Sequence, residues 1–126
     1  MRTLTDHKVN ECNDGLTITV MDEPGAGGAC HHYNVTGYKP ENGGIALPTS
    51  TLIAFQNGPI KEAGVNGLTQ EVLLAICADR LRSFQAGPYA CRENAVALTH
   101  IETAQMWLQK RTRERLARGV EGTHVK

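Results

Sequence analysis

The stretch from about residue 90 to Arg118 constrains the fold more than any other part of the chain. It reads as one helix ended by Gly119 in the position after the last helical residue, about 29 residues and ~43 Å long at 1.5 Å per residue. A second helical pattern precedes it at about 69 to 86. Thr69 is its predicted N-cap, and Leu68 with Leu73 has the spacing of a hydrophobic staple. Leu73, Ile76, Cys77, Leu81 and Phe84 follow the i, i+3, i+4 rule. Gly87-Pro88 stops this helix and sets up an antiparallel helical hairpin. A partner of about 18 residues cannot cover a helix of about 29, so part of the longer helix is expected to meet a second copy of the chain.

The first half has a different texture, rich in Gly, Pro and Thr. LTITVMD (16–22) alternates apolar and polar residues, and CHHYNVTGY (30–38) and TLIAFQNG (51–58) carry β-branched and aromatic residues. PGAGG (24–28) and PENGG (40–44) separate them as turns. The expected fold class is α+β: a small N-terminal antiparallel β-sheet followed by a long C-terminal antiparallel helical hairpin. At 126 residues, 40% hydrophobic and 21% charged, the chain fits a single domain over 1–126, with a sheet portion at 1–62 and a hairpin portion at 63–126.

The formal net charge is zero, but Lys110, Arg111, Arg113, Arg115, Arg118 and Lys126 crowd one end against only Glu114 and Glu121, which points to an acidic partner. The four cysteines (Cys12, Cys30, Cys77, Cys91) have no CxxC spacing, and no secretory apolar segment precedes them, so reduced thiols in a cytosol are expected. No apolar stretch approaches the roughly 18 residues of a membrane span.

On the long helix, the stripe of Ile101, Ala104 and Leu108 continues as Arg111 and Arg115, four residues apart on one face. Two forked guanidiniums suit bidentate capture of phosphate oxygens, as in a pyrophosphate. They equally suit a plainer role, complementing the helix dipole and pairing with Glu114 or another carboxylate. At the other end of the hairpin, Phe84 can stack a purine and Asn94 can pair with an adenine edge. Their plainer roles are core packing for Phe84 and capping or solvent exposure for Asn94. Asn94 and Arg111 lie ~26 Å apart along the helix axis, so one small ligand reaches both sets only if two antiparallel chains share it.

Other chemistries fit less well. GAGG (25–28) lacks the Lys-Ser/Thr of a phosphate loop and reads as a hairpin turn. Cys30, His31 and His32 have no second ligand pair at a recognised zinc spacing, and adjacent histidines on a strand point to opposite sides. Glu102 and Glu114 are too separated to act as a pair, and Ser83 has no evident His partner, so no catalytic residue, metal or cofactor is assigned and binding is favoured over hydrolysis. The alternatives are a nucleic-acid binder using the basic helix end and a purely structural helical interaction module. A neutral chain poor in aromatics argues against the first.

The segment GPIKEAGVNGLTQEVLLAICADRLRSFQAGPYACRENAVALTHIETAQMWLQKRTRERLARGVEG (58–122) resembles the phage Thoeris anti-defence protein 1 family, with FQxGP, CRENAxALTxIE and WLxxRTxxRxxRGVEGTH blocks. MDEPGAGGACHHY (21–33) extends the likeness into the sheet portion, and the hairpin is similar to that of phage anti-CBASS protein 2. The resemblance implies a non-enzymatic sponge that holds, without cleaving, the glyco-cyclic ADP-ribose signal made by TIR-domain Thoeris proteins, in the cytoplasm of the infected bacterial host. It implies dimers assembling into hexamers with pockets between protomers, and for some relatives cyclic di- or trinucleotides at separate sites. It matches Phe84 and Asn94 to base contacts and Arg111 and Arg115 to the phosphate side.

Overall fold

The computed structural model describes residues 1–37 and 50–126. The chain forms two compact units, Met1–Leu68 and Thr69–Lys126. The turn expected at 40–44 lies outside the described residues.

The first unit is a four-stranded antiparallel sheet in the order β1-β2-β3-β4, with β1 at Arg2–Leu4, β2 at Thr17–Val20, β3 at His32–Thr36 and β4 at Thr51–Ala54. The sheet expected from the sequence is present, with one strand more. β1 escapes a periodicity reading because three residues are too few to show alternation. Register sets Leu4 opposite Ile18, Ile18 opposite Val35, Val20 opposite Tyr33 and Tyr33 opposite Ile53. Partners across a ladder and residues two apart along a strand share a face, so these side chains form one apolar face. Val20, 1% exposed, is its most buried member. Phe55 meets Tyr33 edge to face at 5.6 Å between ring centroids.

Two short helices decorate the sheet. Asn10 caps α1 (Glu11–Asp14) by accepting from the Asn13 N–H. The other, α2 (Ile60–Ala63), lies in the loop after β4. That loop returns so closely that a Cβ on Gly67 would lie 2.4 Å from the Phe55 carbonyl carbon, so only glycine fits.

Between β2 and β3, Gly27 and Gly28 take φ of 72° and 79°, and the Gly25 N–H donates to the Ala29 carbonyl at 2.8 Å. The Asp22 carboxylate closes this connection. It accepts from the His31 N–H at 2.9 Å and the His32 N–H at 3.1 Å, with the His32 ring nitrogen Nδ1 3.3 Å away. His31 is buried, with its Nε2 3.0 Å from the Ala26 carbonyl. The GAGGACHH run is thus a capped turn.

In the second unit α3 (Gln70–Gln85) packs along α4 (Arg92–Ala117). Thr69 takes the extended N-cap conformation, and α4 ends in a Schellman motif. The Gly119 N–H donates to the Leu116 carbonyl, the Val120 N–H donates to the Arg115 carbonyl, and Gly119 sits at φ 73°. The expected apolar stripe of α3 needs correction. Its inner face is built around Leu74, Ala78 (0% exposed) and Leu81, whereas Ile76, Cys77 and Phe84 are exposed. α3 carries two overlapping apolar stripes, and a count of i, i+3, i+4 matches does not tell which one meets α4. No helix among the described residues is long and apolar enough to cross a membrane.

The paired N–H donors, His31 first, lower the Asp22 pKa from 3.8 to about 2. A folded pKa below the unfolded one contributes stability that is present above about pH 4 and lost as pH falls toward 2. Asp22→Asn, with one acceptor oxygen for two N–H groups, should weaken the sheet unit at neutral pH and flatten its acid transition between about pH 4 and 2. Amide exchange at β2 and β3 across that range measures both effects.

Candidate ligand-binding site on the hairpin

The connection between the helices positions the first pair of candidate residues. The Cys91 N–H donates to Gln85 Oε1 at 3.0 Å, tying the start of α4 to the end of α3. The Asn94 N–H is in turn held by Cys91 Sγ at 3.5 Å, so the first turn of α4 is capped. Phe84 precedes Gln85 and is 39% exposed, with the Arg80 guanidinium 5.4 Å from its ring centroid. Asn94 is half-buried in the first turn of α4. An aromatic ring open to solvent and an amide in an ordered helical turn therefore stand at the connecting end of the hairpin.

At the far end of α4 the two arginines differ. Arg111 is exposed, and among the described residues it has no hydrogen-bonding or ion-pair partner. Glu114 does not serve it: that carboxylate lies 2.6 Å from Lys110 Nζ, and this hydrogen bond lowers its pKa. Lys110 also stands 5.6 Å from the ring centroid of Trp107, which is 65% exposed.

Arg115 is 7% exposed and engaged with the residues that follow α4. Its Nε donates to Glu121 Oε2 at 3.1 Å, Nη1 to the Val125 carbonyl at 2.5 Å, and Nη2 to the carbonyls of Val120 and Thr123 at 3.0 and 2.9 Å. A guanidinium has five N–H groups, and four of these are committed. Both arginines follow the half-buried stripe of Ile101, Ala104 and Leu108, Arg111 seven residues after Ala104 and Arg115 seven after Leu108, but only Arg115 is buried. Of the plainer roles open to late-helix arginines, Arg115 takes one, pairing with a carboxylate.

The partner of Arg115 is a strap, residues Val120–Val125, that turns back over the end of α4. Gly122 is buried at φ 78°, and the Thr123 N–H donates to the Val120 carbonyl at 3.1 Å. Sequence reasoning missed the strap. Its signal was the pair of glycines three apart, Gly119 and Gly122, with Glu121 between them, in a tail too short for any periodicity. Within one chain, then, Phe84 and Asn94 stand at one end of α4 and Arg111 and Arg115 at the other. Asn94 and Arg111 are separated by ~26 Å of helix, and the fold of one chain does not bring the two sets together.

Arg115→Ala should lower the stability of the hairpin unit by about 2–4 kcal/mol, because it leaves the Thr123 and Val125 carbonyls and the Glu121 carboxylate without their donor. Trp107 is the chain's one tryptophan, so its fluorescence during denaturant melting reports this unit alone. Arg113→Ala, an exposed change, should fall within about 0.5 kcal/mol of the wild type.

Residues 48–113, a little over half of the chain, match the family described as the Acb2/Tad1 hairpin domain. The chain is also 54% identical over 74 residues to a protein of Bacillus phage SBSphiJ7 described as Thoeris anti-defense 1. That match covers 59% of this chain and 52% of the relative, so the chain spans about half the length of the curated relative it matches. Phe84, Asn94 and Arg111 fall inside the family match, while Arg115 and the strap follow it.

Proposed function

Since the chain belongs to the Acb2/Tad1 hairpin-domain family, we propose that it is a phage anti-defence sponge. On this reading it binds and holds, without cleaving, the glyco-cyclic ADP-ribose signal made by TIR-domain proteins, and so keeps the Thoeris effector off in the cytoplasm of the infected host. The relative described as Thoeris anti-defense 1 supports the role. The observation that carries it is the division of the hairpin into an exposed aromatic end and a cationic end whose Arg111 has no partner among the described residues.

Phe84 stacks the purine and Asn94 reads its edge; Arg111 and Arg115 mark the phosphate side. Two copies complete the site, because antiparallel packing of α4 against α4 brings the arginine end of one copy to the Phe84–Asn94 end of the other, twice per dimer. Exposed apolar residues on the hairpin (Val72, Ile76, Val96, Met106, Trp107 and Leu116) supply surface for that dimer and for assembly to a hexamer. Retention fits binding better than turnover, since nanomolar affinity takes about 12 kcal/mol and an enclosed pocket that stacks, pairs and clamps its ligand can supply it.

Mixing the protein with glyco-cyclic ADP-ribose, filtering off free ligand and heating the retained fraction tests this directly. Intact ligand recovered only after heating is the expected result. Altered ligand would reveal an enzyme, and ligand never retained would redirect the search to cyclic di- or trinucleotides.

Arg111→Ala should weaken retention by roughly 10- to 100-fold, the loss of one charge-assisted contact of about 1.5–3 kcal/mol. Phe84→Ala should weaken it while leaving the assembly mass by light scattering unchanged. Loss of the assembly instead would assign Phe84 to packing.

A further inference from the structure

The loop that follows β4 contains two Asn-Gly sequences, Asn57-Gly58 and Asn66-Gly67. This succession is chemically labile, because with no side chain on the second residue its backbone nitrogen reaches the asparagine Cγ with little hindrance. In this loop the fold itself demands the glycines. Gly58 sits at φ 89°, and a Cβ there would stand 3.0 Å from the Ala63 Cβ; at Gly67 a Cβ would meet the Phe55 carbonyl carbon at 2.4 Å. Both labile pairs are therefore built into the structure.

The two asparagines are exposed alike but held differently. Asn66 is locked through its side chain: Oδ1 accepts from the Asn57 N–H at 2.8 Å, and Nδ2 donates to the Asn57 carbonyl at 2.7 Å. Gln56 secures the same neck of the loop. Its Oε1 accepts from the Asn66 N–H at 2.9 Å, and its Nε2 donates to the carbonyls of Gly58 and Gly64 at 3.0 and 2.7 Å. Turning the Asn66 Cγ toward the Gly67 nitrogen breaks both of its side-chain bonds. Asn57 contributes only its backbone to this clasp, and among the described residues its side chain has no hydrogen-bonding partner. The attacking nitrogens do not differ, since neither the Gly58 nor the Gly67 N–H has an acceptor among the described residues. What separates the two sites is the freedom of the side chain.

We propose that Asn57 is a site of spontaneous deamidation in the folded protein, and that Asn66 stays protected until Asn57 has changed. At Asn57 the Gly58 nitrogen gives up its proton to solvent and bonds to Cγ. The bond from Cγ to Nδ2 breaks, and Nδ2 takes up a proton and leaves as ammonia. One water then opens the cyclic imide at either carbonyl, giving aspartate or isoaspartate. Isoaspartate places a methylene carbon in the main chain between the N–H and the carbonyl that Asn66 spans, so one amide side chain no longer reaches both. Asn66 is thereby released to react with Gly67 in the same way. The chain has a formal net charge of zero, so each event leaves it one negative charge further from neutrality.

Incubating the full chain in mildly alkaline buffer and mapping its tryptic peptides by mass spectrometry tests the assignment. Cleavage after Lys61 places Asn57 and Asn66 in different peptides. Fragment spectra separate Asn57 from Asn42, whose own Asn-Gly sequence lies outside the described residues. In the folded chain Asn57 should convert first and Asn66 should lag by roughly tenfold, the effect of two retained hydrogen bonds. In denaturant, where the clasp is gone, the two should convert at similar rates. Asn57→Gln loses no side-chain bond and closes the imide ring far more slowly, so it should leave Asn66 intact through the same incubation.

Conversion of Asn66 as fast as Asn57 in the folded chain overturns the assignment. So does an Asn57 that stays intact when folded yet converts in denaturant, and neither result depends on a variant folding. Asn66 that converts equally fast in wild type and in Asn57→Gln overturns the order of events.

Discussion

The hairpin unit is organised by a mismatch in length. α4 has 26 residues and α3 has 16, so on the order of 15 Å of the longer helix extends beyond the shorter one. A helix end without a packing partner has an apolar stripe in water and four carbonyls with no intrahelical donors. The chain answers both needs with its own last residues. The Schellman turn at Gly119 returns the backbone, and the stripe that would have continued as a leucine continues as Arg115, whose donors hold the returning strap. An aliphatic residue at 115 would fill the same space, but it would leave the carbonyls of Thr123 and Val125 without their donor and the Val120 carbonyl with only its bonds from Thr123, at a desolvation cost that a guanidinium removes.

The same mismatch bears on assembly. Val20 and Ala78 are the fully buried apolar residues among those described, while Val72, Ile76, Met106, Trp107 and Leu116 are exposed on the hairpin. A small domain buries a limited share of its surface, and a helix pair buries less than a bundle because each helix has only one neighbour. Exposed apolar residues scattered singly are ordinary, but Val72 and Ile76 are four apart on α3 and share a face, which makes a stripe there, while Met106 and Trp107 add exposed apolar surface on α4. In the proposed function a second copy covers this surface.

How much of this was legible in the sequence depended on the length of the signal. α4 was legible almost to the residue because it is long, free of Gly and Pro, and ended by Gly119; the strands at 17–20, 32–36 and 51–54 were legible by alternation and by the turns between them. β1 was too short to show a period, and the inner face of α3 was ambiguous because Leu73, Leu74, Ile76, Cys77 and Leu81 satisfy two overlapping stripes, of which burial selected the one through Leu74 and Ala78. At the candidate site, the positions of Phe84 and Asn94 at one end and the arginines at the other followed from helical geometry. The difference between Arg111 and Arg115 did not. It depends on a six-residue strap with no periodicity, whose conformation is set by Arg115 itself, so no local pattern encodes it.

With Phe84 and Asn94, the proposed base-reading residues, at one end of the hairpin and the cationic residues at the other, a ligand that needs both has to be bound by two copies. Binding and assembly then form a single linked equilibrium: whatever the ligand adds to the stability of the dimer, the dimer adds to the affinity for the ligand. This suits the retention proposed above. A pocket closed by a second copy releases its contents only when the interface opens, so slow dissociation of the assembly becomes slow release of the ligand, and affinity is held mainly in the off-rate. Catalysis makes the opposite demand, since product must leave at each turnover. Dividing the proposed recognition groups across ~26 Å of helix therefore fits the proposed role of holding a ligand better than it would fit turnover.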